Sequence, residues 1–253
     1  MTTTHLPDNI RRAGVAIAWL VALALSGCAA VAPSGMPSSA AYEAAIADAA
    51  VASPRKVTAL MPLPAGDRVR VVSWVTESRT PCKAPDTSCA TTTAPDRIWV
   101  TLAGEVQSSC RAWGLKGDAL RQRLEQLLGL PMDPPPQFRK ARFVTMEVAR
   151  ERLDRPCLGI DESNAQGPVC TVGIQASRAP DVRDYVLRQM ADSFVVGGPG
   201  GPGYPFTRLG YTYDWNEVNA RPNHYGASEF LLQASTSAAV ITQQDTDAYC
   251  AAP

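Results

Sequence analysis

The sequence predicts an α+β fold, a single domain with a mainly antiparallel sheet and about three helices, stapled by disulfides. Three observations lead there. Segments rich in β-branched and aromatic residues open and close the region 66–253, whereas helical periodicity is confined to its middle. The element order β-β-α-α-β-α-β-β lacks the regular alternation that builds a parallel sheet. Six cysteines, from Cys82 to Cys250, are spread over the same region.

Each element has its own reason. "RVRVVSWV" (68–75) and "RIWVTLA" (97–103) are strands by their branched and aromatic content, and the polar loop between them carries Cys82 and Cys89. In "EVQSSCRAW" (105–113), Val106, Cys110 and Trp113 share one helical face, which turns Cys110 toward the core. "GDALRQRLEQLLGLP" (117–131) places Leu120, Leu124, Leu127 and Leu128 on one stripe; Asp118 can cap its start, Gly129 can end it and Pro131 prevents continuation. "RFVTMEV" (142–148) returns to strand. A third helix spans 179–195, with Val182, Tyr185, Val186 and Phe194 on one side. "SEFLLQ" (228–233) and "SAAVIT" (237–242) are expected to close the domain as a hairpin.

The N-terminus is of a different kind. Eleven uncharged residues, 15–25, come after Arg11 and Arg12 and precede Ser26, Gly27 and Cys28. A membrane span needs roughly 20 apolar residues, so this run fits an export signal. Leu25-Ser26-Gly27-Cys28 resembles the lipobox of bacterial lipoproteins. The resemblance implies cleavage before Cys28, diacylation of its thiol and acylation of its freed amine. Two or more acyl chains anchor stably where one holds marginally. Ala29 after the cysteine implies, by the Gram-negative sorting rule, the outer membrane facing the periplasm. The expected organisation is therefore a signal peptide over 1–27, a lipidated N-terminus and flexible tether over 28–65, and a folded domain over 66–253. The tether reading rests on the Ala, Ser and Pro content of 29–65, which offers little to bury. "WVTLAGEVQSSC" (99–110) and "GYPFTRLGYTYDW" (203–215) are also similar to segments of proteobacterial envelope lipoproteins, a likeness that transfers no activity.

Setting Cys28 aside for lipid leaves an even set in a compartment where disulfides persist. Six cysteines allow 15 pairings. Spacing suggests Cys82–Cys89 and Cys157–Cys170 as local closures, which leaves Cys110 for Cys250. Without a CxxC, and with His224 as the single histidine beyond the signal, no metal site is expected.

Charge excludes one class of partner. Loss of residues 1–27 leaves a net charge of about −1 with no run of either sign, so nucleic acid is not expected. The glycine-rich stretch at 197–203 lacks the Lys and Ser/Thr of a phosphate loop, and no cofactor is expected. The segment after it is richer. Tyr204, Phe206, Tyr211, Tyr213, Trp215, Tyr225 and Phe230 are interleaved with Arg208, Asp214, Glu217, His224 and Glu229. Aromatic faces beside carboxylates and an arginine suit a sugar or peptide ligand. Tyr204, Arg208, Tyr213, Asp214, Trp215, Glu217 and His224 are the candidate ligand contacts.

Signals for catalysis are thin. Asp214 and Glu217 could pair as in a glycosidase, but a serine triad would need His224 and no G-x-S-x-G occurs, so no catalytic residue is assigned. The leading expectation is a lipid-anchored envelope protein with a non-enzymatic binding or structural role, engaging an envelope protein or cell-wall ligand. The alternatives are a periplasmic hydrolase of cell-wall glycan or peptide using the carboxylates of 214–229, and an accessory subunit or inhibitor in the envelope.

Overall fold

A computed structural model describes residues 39–79, 92–93, 96–132, 134–195, 203–218 and 222–251. Cys28 and the Cys82–Cys89 pair lie outside these residues. The strands are Arg68–Thr76 (β1), Thr92–Thr93 (β2), Ile98–Leu102 (β3), Lys140–Ala149 (β4), Leu153–Asp154 (β5), Ile160–Asp161 (β6), Val169–Cys170 (β7), Tyr211–Tyr213 (β8), Tyr225–Leu232 (β9) and Ser237–Asp245 (β10). The helices are Ser39–Ala50 (α1), Ala103–Trp113 (α2), Gly117–Leu127 (α3), Pro180–Ser193 (α4) and Thr246–Cys250 (α5). The fold is α+β, as expected, with the short α5 and the N-terminal α1 added to the three anticipated helices. Asp118 lies inside the first turn of α3, paired with Arg121 at 2.7 Å, rather than capping it.

The main sheet runs β2-β10-β4-β1-β3-β9-β5, with β8 on β9, and its pairs are antiparallel. Strand alternation sorts side chains to two faces. One face points Val69, Val71, Val100, Leu102, Val144, Met146, Val148, Phe230, Leu232, Ala238 and Val240 into a shared core. The other carries Val72, Trp74 and Phe143 beneath α2, α3 and α5.

The expected closing hairpin does not form. β9 pairs with β3 and β10 pairs with β4, so β3, β1 and β4 separate two consecutive strands. Residues 233–236 bridge that gap because the sheet curls, bringing the inward residues of β9 and β10 into one core. The physical reason is burial: pairing with β4 sets Val240 beside Met146 and brings Ala238 and Val240 into the core that Val144 and Met146 share.

The tether reading is corrected from Ser39 onward. Tyr42, Ala45, Ile46 and Ala49 recur at i, i+3, i+4 and i+7 on α1 and are each at most 5 % exposed, packed on Tyr213 and Trp215. The Tyr42 hydroxyl donates to the Gly203 carbonyl at 2.9 Å, and the Tyr213 hydroxyl donates to Asp48 at 3.0 Å. Further along, Leu60 is buried against Cys157, Cys170, Leu209 and Tyr211. An alanine-rich helix buries little area per residue, but small side chains let it approach closely, and two large anchors suffice.

Two disulfides are present among the described residues. Cys110–Cys250 joins α2 to α5 and closes 140 residues of sequence; Cys157–Cys170 closes 13. The chain-entropy model assigns them about 5 and about 3 kcal/mol.

Candidate functional site

The covered face of the sheet continues beyond the helices as the floor of a cleft of about 800 Å³. Register defines that floor. Glu229 on β9 lies opposite Thr101 on β3, which lies opposite Val72 on β1. In the next row, two residues along, stand Trp99, Trp74 and Phe143, and Trp74 stacks on Phe143 with ring centroids 5.5 Å apart. Beyond them Thr76 lies opposite Lys140. Leu128, Gly129 and Leu130 form one wall, Gln189 and Ser193 of α4 a second, and residues 204–207 a third. Gly129 has φ +64°, and a side chain there would press on the Tyr213 carbonyl.

Glu229 is the unusual member. It faces the cleft but is walled by protein, and among the described residues no hydrogen bond or ion pair reaches its carboxyl. Burial alone pushes its acid from the ordinary 4.5 up to about 8, because removing a carboxylate from water penalises the charged form. Glu229 is therefore largely protonated at neutral pH and presents a hydroxyl donor and a carbonyl acceptor. Its aromatic surroundings are fixed by packing: Trp99 meets Phe206 edge-on at 5.6 Å and Tyr185 of α4 at 6.0 Å.

At the other end of the cleft stands Lys140. It is half-buried, and among the described residues no acid or carbonyl bonds its ammonium. Burial, then the like charge of Arg79, lowers its pKa. Arg97 also lines the cleft, but its charge is answered: it donates to Asp154 at 2.6 Å and pairs with Asp181.

Of the seven residues singled out from the sequence, the structure brings Tyr204 and Tyr213 to this cleft and leaves the other five outside it. Asp214 is 1 % exposed and takes two hydrogen bonds from Arg123, at 2.9 and 2.6 Å, with Arg123 lying over the Trp113 ring. Trp215 is buried under α1, its indole donating to the Leu130 carbonyl. Arg208 donates to the Ala50 carbonyl at the end of α1. His224 stacks on Tyr213 and bonds the Asp214 carbonyl, and Glu217 is exposed on a turn. The aromatic-rich segment is thus chiefly core, because alternate residues of β8 and β9 pack under α1 and α3.

The Asp214–Glu217 pair of the hydrolase alternative is not assembled, since Asp214 is committed to Arg123. Thr101, Trp99, Trp74 and Lys140 escaped the sequence reading. Glu229 carried a legible signal: it shares a strand face with Ala227 and Leu231, so an acid interrupts an apolar alternation.

A wider groove of about 1300 Å³ lies across Arg68, Arg70 and Glu147. Despite its size it is the weaker candidate. Arg68 donates to Glu147 at 2.9 Å, and Glu105 beneath it accepts from Tyr225 and from the Ser228 amide. Its charges are answered within the protein, whereas Glu229 and Lys140 of the smaller cleft have no such partner among the described residues. Among those residues, too, no cluster of ligating side chains could hold a metal ion, and no helix is long and apolar enough to cross a membrane. No known protein family, curated protein or solved structure matches the chain.

Proposed function

We propose that this is a lipid-anchored envelope protein that binds a small ligand in the cleft over Glu229, without chemistry of its own. The observation that carries the binding role is an acid without a partner among the described residues, at the base of a concave, aromatic-lined cavity large enough for a small molecule. A buried polar group left without a partner costs roughly 1–3 kcal/mol, a cost that a ligand bonding to it removes. The other acid that lines the cleft, Asp96, is exposed to solvent and no contact pairs it with Glu229 among the described residues, so binding is the better-supported activity. The lipid anchor rests on the lipobox resemblance at Cys28 and on the two disulfides, which suit an oxidising compartment.

The test uses the processed full chain in detergent, titrated with a muramidase digest of cell-wall sacculi and followed by thermal unfolding. Stabilisation is expected, and it should vanish in Gln189→Trp, which fills the cleft from α4. A stabilisation that Gln189→Trp leaves intact would place the ligand elsewhere and overturn this reading. For the anchor, Cys28→Ser should abolish acyl labelling; continued labelling defeats it.

A further inference from the structure

We infer that the cleft takes an extended zwitterion of short-peptide length, its ammonium end at Glu229 and its carboxylate end at Lys140. This rests on the cleft reading above and specifies the ligand class. Two independent facts support it. Glu229 and Lys140 both line the cleft, and among the described residues neither has a counter-ion. One is an acid and the other a base, and register sets them at opposite ends of the floor.

Partly buried polar groups are as a rule partnered, so a half-buried acid and a half-buried ammonium, both without partners among the described residues of one cavity, point to a ligand that supplies both. They do not satisfy each other. Register puts them three strands apart and four residues along β1. Strand spacing and rise make that offset roughly 15–20 Å between Cα atoms, and the side chains close part of it. A gap of roughly 10 Å remains, the length of about three extended residues.

The ground between suits such a ligand. Trp99, only partly buried, stands in the row between Glu229 and Lys140 and offers its ring to an extended chain, with Trp74 beside it held by its stack on Phe143. Thr101, beside Glu229, adds a hydroxyl. Arg79 lines the cleft near Lys140 and reinforces attraction for a carboxylate, whereas among the described residues no cation acts on Glu229 and an ammonium would not be repelled there. An arriving ammonium stabilises the Glu229 carboxylate, so the acid gives up its proton on binding.

Tri-, tetra- and pentaalanine, each with free or blocked termini, are the probes, titrated calorimetrically into the full chain. At least one free-ended peptide should bind, with N-acetylation and C-amidation each weakening it about tenfold or more. Glu229→Gln should weaken the free peptide and become indifferent to N-acetylation; Lys140→Met should become indifferent to C-amidation. Glu229→Gln removes an unfavourable buried acid, so it remains folded and the test stays readable. Blocked peptides that bind as well as free ones overturn the zwitterion, as does failure of all three lengths, while the digest titration still decides the cleft reading. Peptide binding that survives Gln189→Trp defeats both.

Discussion

At the scale of single residues, a carboxyl group that stays protonated up to about pH 8 ties stability to pH in an uncommon direction. In the unfolded chain Glu229 ionises near 4.5; in the fold it holds its proton to about 8. Between those values unfolding releases a proton, so stability falls as pH rises through the window and levels off above it. Glu229→Gln should stabilise the protein by on the order of 3 kcal/mol at about pH 7.5 and by almost nothing near pH 4, measured by urea unfolding at both. A pH-independent difference would contradict the assignment. A substitution at Asp214 should lower stability instead. Asp214→Asn leaves the buried Arg123 charge unanswered and should cost about 3–5 kcal/mol. The double change Arg123→Met with Asp214→Leu should cost less than that single change, read from the same unfolding curves.

At the scale of elements, α1 behaves as part of the domain. Ile46→Ala should cost about 3 kcal/mol, while Val51→Ala, at a residue 63 % exposed, should cost under about 0.5. Equal urea midpoints for the two variants would restore the tether reading for this segment. The contrast shows where sequence was a sufficient guide. The stripe of Leu120, Leu124 and Leu127 announced α3, because a helix made of leucine advertises its buried face. Alanine does not, and the docking of α1 depends on Tyr213 and Trp215, more than 150 residues away. The strands were legible for the same reason as α3, but the partners of β9 and β10 were not: a short connection implies a hairpin unless the sheet curls. The cleft was largely illegible, since it is assembled across register from β1, β3, β4 and β9, and no local spacing records which residues will lie opposite. Seven aromatics within 204–230 signalled burial as strongly as recognition, and burial prevailed for Trp215 and Tyr211.

At the scale of the whole molecule, the last strand occupies an interior place. β10 lies between β2 and β4, contributes Ala238 and Val240 to the shared core, and leads into α5, whose Cys250 is bonded to Cys110. Deleting residues 237–253 should therefore abolish the native fold rather than trim it, with the cooperative urea transition lost; a truncated chain that keeps such a transition would contradict this topology. The placement of β10 also constrains the order of events while the chain is being made. Delivered N-terminus first, the chain has β1, β3 and β4 in hand long before β10 exists, and the flank of β4 that β10 will occupy stands open. Completion waits for the final residues, and contacts of such long sequence separation form slowly. A protein built this way is vulnerable during its emergence, and whatever shields the bare edge of β4 in that interval matters as much to its yield as any contact in the finished fold.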